Sequence, residues 1–392
     1  MDKFIYMDNS ATTPVKKEVL EAMLPYFTEK YGNPSSVYSL GSQSKVAVEE
    51  AREKIAKAIG ASPREVFFTA GGSEADNWAI KGVAYANRKK GNHIITSKIE
   101  HHGVLHTCEY LEKQGFKVTY LDVDEYGVID LEQLKESITD KTILISIMFA
   151  NNEIGTIQPI EEIGKIAKER GVYFHTDAVQ AVGHVKIDVD GSNIDMLSMA
   201  AHKFYGPKGI GALYIRQGVK IDSLITGGGQ ERNRRAGTEN VPGIVGMGKA
   251  IELAYENMDE NNEKLISLRE RLIKGIFDNI DYVQLNGHPT ERLPGNVNIC
   301  FHFIEGESLL LSLDMEGIAG SSGSACTSGT LDPSHVLLAI GLPHEIAHGS
   351  LRLSLGDFNT EEEVDYVVKK LVEIVTRLRA MSPLYEEVKE GK

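Results

Sequence analysis

Cysteine is scarce in this chain of 392 residues: there are three, at positions 108, 300 and 326. They are too few and too scattered for a disulfide framework, and no CxxC pair supplies a metal site. That usage fits a reducing, cytoplasmic setting. Positive charge is in deficit as well. Lys and Arg together number 42 against 56 Asp and Glu, a net charge of −14 at pH 7. Non-specific nucleic-acid binding rests on cationic surface, so no nucleic-acid partner is expected. Long apolar runs are missing too. The best, "TILISIMFA" (142–150), falls far short of a bilayer span, and no membrane association is expected. The N-terminus, "MDKFIYMDNSATT", has no basic segment leading into an apolar stretch and does not read as a signal peptide. No internal repeat or low-complexity tract is visible.

What remains is ordinary globular composition, 42% hydrophobic and 25% charged, at a length comfortable for two domains. Short β-rich runs alternate with amphipathic segments. "EVFFTA" (65–70), "HIITSKI" (93–99), "KVTYLDV" (117–123), "TILISIMFA", "VYFHTDA" (172–178), "DMLSMAA" (195–201) and "GALYI" (211–215) read as strands. "PIEEIGKIAKERG" (159–171) keeps Ile160, Ile163, Ile166 and Ala167 at helical spacing and ends on Gly171. Such alternation predicts an α/β fold with a mainly parallel sheet covered by helices. A long helical pattern from about 243 to 280 leads into a second, smaller α/β unit. There "VNICF" (297–301) and "SLRLSL" read as strands, and "TEEE" (360–363) is a capping box opening the last helix. The boundaries expected are 16–258 for the large domain, with 1–15 and 259–392 forming the small one.

In parallel sheets ligands bind beyond the carboxyl ends of the strands, so the residues just after each strand carry the chemistry. "GGSEADN" (71–77) follows the first of these strands. A glycine turn into a helix N-terminus suits an anion, although a plain turn with a serine cap explains it equally, and the spacing is neither GxGxxG nor a Walker loop. Glu100-His101-His102 follow the next, where His101 is either a helix cap or an acid–base group. "NNEIG" (151–155) puts amides at a third strand end. Asp177 and Lys203 close two further apolar strands. A buried Asp needs a partner, and a buried Lys makes a good imine-forming amine. An Asp for a pyridinium nitrogen, a Lys and a phosphate turn are the parts that pyridoxal 5′-phosphate requires.

At this point the chain resembles the cysteine desulfurases of the NifS/IscS type, in the class V aminotransferase family. The likeness runs through "MDNSATTP", "YGNPSS", "NNEIG", "HTDAVQ", "HKFYGPKG", "GGGQERNRRAGT", "SSGSACTSG" and "LRLSLG". It implies the aspartate-aminotransferase-like pyridoxal-phosphate fold (fold type I), a homodimer, and conversion of L-cysteine to L-alanine with the sulfur left as a persulfide. By resemblance, Lys203 carries the cofactor, Asp177 pairs with the pyridinium nitrogen and Gln180 bonds the ring oxygen. His101 stacks on the ring and handles protons. Gly72, Ser73 and His202 hold the phosphate, with Thr238 reaching in from the partner subunit. Asn152 and Arg352 take the substrate carboxylate, and Cys326 accepts the sulfur for delivery to an iron–sulfur scaffold or other acceptor. A cysteine in a Gly/Ser loop can attack in the pocket and deliver outside it, which a cysteine on a rigid strand could hardly do.

Some positions depart from the pattern. Ala200 stands where relatives often carry a phosphate-binding serine, Tyr38 where they usually carry a histidine, and the tail "SPLYEEVKEGK" is short. "HEIAH" (344–348) matches the zinc-protease signature, but Pro343 and Gly349 leave it barely one turn, so no metal ligands are expected there. A selenocysteine lyase or an aminotransferase would keep the fold, yet an aminotransferase needs no cysteine loop. A non-enzymatic sulfur carrier would need neither Lys203 nor Asp177. "ERNRR" (231–235) suits a dimer-interface or cofactor-side role better than a nucleic-acid patch in an acidic chain.

Overall fold

The computed structural model describes residues 4–322 and 333–389, without the side chains of 387–389. Seven strands form the central sheet, in the spatial order Val66–Thr69, Gly211–Ile215, Met196–Ala200, Tyr173–Asp177, Thr142–Ser146, His93–Ser97, Lys117–Leu121. Gly211–Ile215 runs antiparallel to both its neighbours, and the other pairings are parallel. The strands read as near-continuous apolar runs because both faces are buried. Alternate residues serve opposite faces. Phe68, Ile95, Ile145, Leu197 and Tyr214 face a core built with helices Ser39–Ile59 and Val241–Glu256. Phe67, Ile94, Leu144, Met196 and Leu213 face one built with helices Gly72–Ala86 and His102–Glu112.

Local rules account for most element ends. Helix Ile160–Arg170 buries Ile160, Ile163, Ile166 and Ala167 and stops at Gly171, whose φ of 63° is left-handed. Each fully buried isoleucine there is worth about 1.5–3 kcal/mol of apolar transfer. The capping box at Thr360 and Glu363 opens helix Glu361–Arg379. Two expected elements differ. The helical pattern from 243 is two helices, Val241–Glu256 and Met258–Asn279, broken at Asn257. "TILISIMFA" is regular strand only to Ser146; Ile147–Ala150 stay buried, and the Ile147 and Phe149 amides still donate to the His175 and Asp177 carbonyls of the neighbouring strand.

A three-stranded antiparallel sheet, ordered Ser350–Ser354, Asn296–Phe301, Val283–Leu285, lies with helices Met258–Asn279, Gly306–Met315 and Glu361–Arg379 around a separate apolar cluster. Ile5 and Met7 belong to that cluster, and Ile5–Tyr6 pairs in parallel with Ile318–Ala319. The N-terminal segment then crosses to the central sheet, which puts residues 8–13 over its carboxyl edge. Among the described residues no helix is long and apolar enough to cross a membrane.

Candidate active site

The carboxyl ends of five central strands converge on one pocket. Lys203 sits in the single turn Ala201–Lys203 after strand Met196–Ala200. Its Nζ donates to the carbonyls of Ser10, at 2.5 Å, and Ala11, at 2.8 Å. The Ser10 carbonyl also accepts from Gln180 Nε2 at 2.9 Å. One backbone oxygen from the N-terminal crossing therefore orients both the lysine and the glutamine. Asp177 ends its strand buried, accepting from the Val179 amide at 3.0 Å. Burial pushes its carboxyl up, while His101 and Lys203 pull it back towards ionisation.

His101 is the N-cap of helix His102–Glu112: its Nδ1 accepts from the Gly103 amide at 3.0 Å. A ring used this way carries its proton on Nε2 when neutral. Capping and a cofactor-facing role are thus compatible, since the cap uses one nitrogen and leaves the other.

The glycine turn opens helix Gly72–Ala86 with Gly71 as N-cap and no side-chain cap bond, so Ser73 is not the cap. Ser73 is exposed and lines a cavity of about 470 Å³ together with Thr12, Gly71, Gly72, His202 and Lys208. A Cβ at Gly72 would lie 2.6 Å from Val179 Cγ2 and 3.7 Å from the Ala200 methyl, so the turn packs directly on the strand ends. His202 bonds Thr12 Oγ1 through Nδ1 at 3.2 Å, and burial with Lys203 and Lys208 nearby depresses it to about 4. It is neutral at physiological pH. Free helix N–H groups, a lysine and a neutral histidine around a cavity suit a phosphate. A buried carboxylate facing two basic groups suits a pyridinium. The residues present therefore fit pyridoxal phosphate.

Arg352 lies almost fully buried on strand Ser350–Ser354. Its Nη1 donates to the Asn152 carbonyl and its Nη2 to Asp8 Oδ1, both at 3.0 Å, while Nε has no partner. The contact with Asn152 is to its backbone. Thr238 is exposed on this protomer. Cys326 lies in 323–332, outside the described residues. The other two cysteines are buried: Cys300 accepts from Asn286 Nδ2 at 3.1 Å and is pushed up to about 11, and burial raises Cys108 further.

Several participants had escaped sequence reasoning. Asp8, Ser10, Ala11 and Thr12 lie in "MDNSATT", whose density of small polar residues was the available signal. Asp76, Glu100 and Glu153 had none beyond being acids beside apolar strands. Glu100 is fully buried, accepting from Ser97 Oγ at 2.6 Å and the Met148 amide at 3.0 Å, and desolvation pushes it up to about 8. Glu153 accepts from Ser334 Oγ at 2.5 Å and is pushed up to about 7 by burial.

Two further motifs are placed as follows. His344, Glu345 and His348 are all exposed on and beside the one-turn helix His344–Ala347. In "ERNRR", Glu231 is buried against Arg52 at 2.8 Å, Arg232 bonds the Arg64 and Pro63 carbonyls, and Arg235 grips Glu74 through two bonds. Those charges hold the loop to the strand and helix that flank the phosphate turn.

Residues 5–367 match the class V aminotransferase family. The chain is 66% identical over 394 residues to the cysteine desulfurase IscS of Clostridium botulinum, covering 100% of this chain and 99% of that protein. A solved NifS-like protein superposes with a TM-score of 0.91 at 43% identity, over 96% of this chain and 100% of its own. The structure of SspA in complex with cysteine does so at 0.81 and 41% identity, over 91% and 100%.

Proposed function

The chain belongs to the class V aminotransferases, among the cysteine desulfurases of the NifS/IscS type, and on that premise we propose how its residues divide the reaction. Bound at Lys203, pyridoxal phosphate supplies an electron sink that weakens bonds at the substrate α- and β-carbons. Asp177 holds a proton on the pyridine nitrogen by opposite charge. Gly72, Ser73 and His202 hold the phosphate, with Thr238 from the partner subunit of a homodimer. Gln180 would bond the ring oxygen, and His101 would stack on the ring. Arg352 and Asn152 take the carboxylate of L-cysteine, which a guanidinium fork suits. Lys203 would move the α-proton.

The Cys326 thiolate attacks the substrate sulfur. A sulfur–sulfur bond forms, the carbon–sulfur bond breaks with its electron pair left on the substrate carbon, and protonation there yields L-alanine. The persulfide then passes to an acceptor, an iron–sulfur scaffold protein, in the cytoplasm.

The observation that carries this reading is the single Ser10 carbonyl orienting both Lys203 and Gln180 beside buried Asp177. Purified protein is expected to be yellow, with a visible band that shifts on adding L-cysteine and disappears on borohydride reduction. Cys326→Ser should keep the band and lose persulfide formation. A colourless protein that pyridoxal phosphate cannot reconstitute refutes the cofactor site, and full sulfur transfer by Cys326→Ser refutes the acceptor.

A further inference from the structure

Behind Asp177 lies a second acid that the reaction as described does not use. Asp76 is in the second turn of helix Gly72–Ala86 and 1% exposed. Ligand atoms of Asp76, His101 and Asp177 all lie within 4.8 Å of one another. Asp76 Oδ1 has no hydrogen-bond partner. The nearest basic group is His175 Nε2, 3.7 Å from Asp76 Oδ1 and too far to bond it. That imidazole is committed elsewhere: Nδ1 to Ser146 Oγ at 2.8 Å and Nε2 to Ser198 Oγ at 2.9 Å.

Two carboxylates this close in a buried site do not both ionise. The neighbours decide which one keeps the charge. Asp177 faces His101 and Lys203, which favour its anion. Asp76 faces the Asp177 carboxylate, which opposes a negative charge on it, with the Ser198 hydroxyl as a favourable contact. His175, fully buried and driven down to about 3 by desolvation, offers Asp76 no positive charge.

We propose that Asp76 is a positioning residue: it stands as a neutral carboxylic acid and donates its proton in a hydrogen bond to the Asp177 carboxylate. The bond leaves the charge on Asp177 and fixes the plane of its carboxyl, so that one oxygen faces the pyridine nitrogen. It also gives the orphaned Oδ1 a partner through a small shift of either side chain. The inference rests on Asp177 being the pyridine partner, and it makes a specific claim about the side chain needed at 76. Neutral and hydrogen-bonding is sufficient; charged is not required.

The test compares wild-type, Asp76→Asn and Asp76→Leu proteins, each with and without pyridoxal phosphate. Infrared difference spectra at pH 7.5 between wild type and Asp76→Asn should show the carbonyl stretch of a protonated carboxylic acid that the variant loses. Release of cofactor from the loaded protein, followed by its visible band, should change less than threefold in Asp76→Asn and accelerate at least tenfold in Asp76→Leu. The amide rescue separates positioning from simple filling of space. No lost infrared band, an Asp76→Asn that releases cofactor as fast as Asp76→Leu, or an Asp76→Leu that holds it like wild type overturns the proposal. If Asp76→Leu does not fold, the infrared band and the Asp76→Asn release rate decide. Failure of wild type to bind pyridoxal phosphate refutes the role of Asp177 instead, and the infrared band of the cofactor-free protein still reports on Asp76.

Discussion

Replacing Glu100 with Gln is expected to flatten the decline of stability with rising pH. Burial carries the Glu100 carboxyl from its ordinary 4.5 up to about 8 in the folded chain. Above pH 4.5 the unfolded chain has released this proton while the folded chain still holds it. The unfolded state therefore binds fewer protons, and stability falls as pH rises until the folded carboxyl also ionises near 8. The full effect is about 5 kcal/mol, and most of it falls between pH 5 and pH 8. Gln keeps an oxygen for the Ser97 hydroxyl and the Met148 amide, both of which bond Oε1, and carries no titrating proton. Glu153 has the same sign and remains in the variant. Urea unfolding at pH 5 and pH 8, at fixed protein and cofactor concentration, should give Glu100→Gln a smaller drop than wild type by about that amount. Parallel pH dependence in the two proteins refutes the argument, because it would mean that Glu100 titrates alike folded and unfolded.

Two further outcomes follow from the pocket. Ala200→Ser puts a hydroxyl beside the phosphate turn, and a hydrogen bond to a charged group is worth about 1.5–3 kcal/mol, so cofactor release should slow about ten- to a hundredfold; equal release rates sink the idea. Arg352→Lys keeps the charge but cannot bridge the Asn152 carbonyl, Asp8 and a substrate carboxylate at once, so the KM for L-cysteine should rise at least tenfold while the visible band is retained. An unchanged KM would remove Arg352 from the substrate site.

The parts of the fold that could be read from the chain are those that local chemistry dictates. Gly171 had to end its helix because only a residue tolerant of φ 63° closes that turn, and Thr360 with Glu363 had to open one. The antiparallel course of Gly211–Ile215 between two parallel-running strands was not legible. "GALYI" is apolar on both faces in either direction, so its composition carries no sign of orientation. The break at Asn257 was hidden for a similar reason, because the apolar spacing continues through it.

The chemistry divides along the same line. Lys203, Asp177, His101 and the glycine turn were visible because each is a polar or permissive residue at the end of an apolar strand, where burial demands a reason. Ser10 acts through its carbonyl, which every residue has, so nothing in its identity announces the contact with Lys203 and Gln180. That Asp8 meets Arg352 across 344 residues depends on the N-terminal segment crossing from the small sheet to the large one. The residue types and their order in the chain thus determined the kind of chemistry and the cofactor that suits it. Which groups meet, and which acid among Asp76, Glu100, Glu153 and Asp177 keeps its proton, was decided only by the tertiary structure. Strand order comes from long-range pairing, and desolvation has no value until a side chain is surrounded.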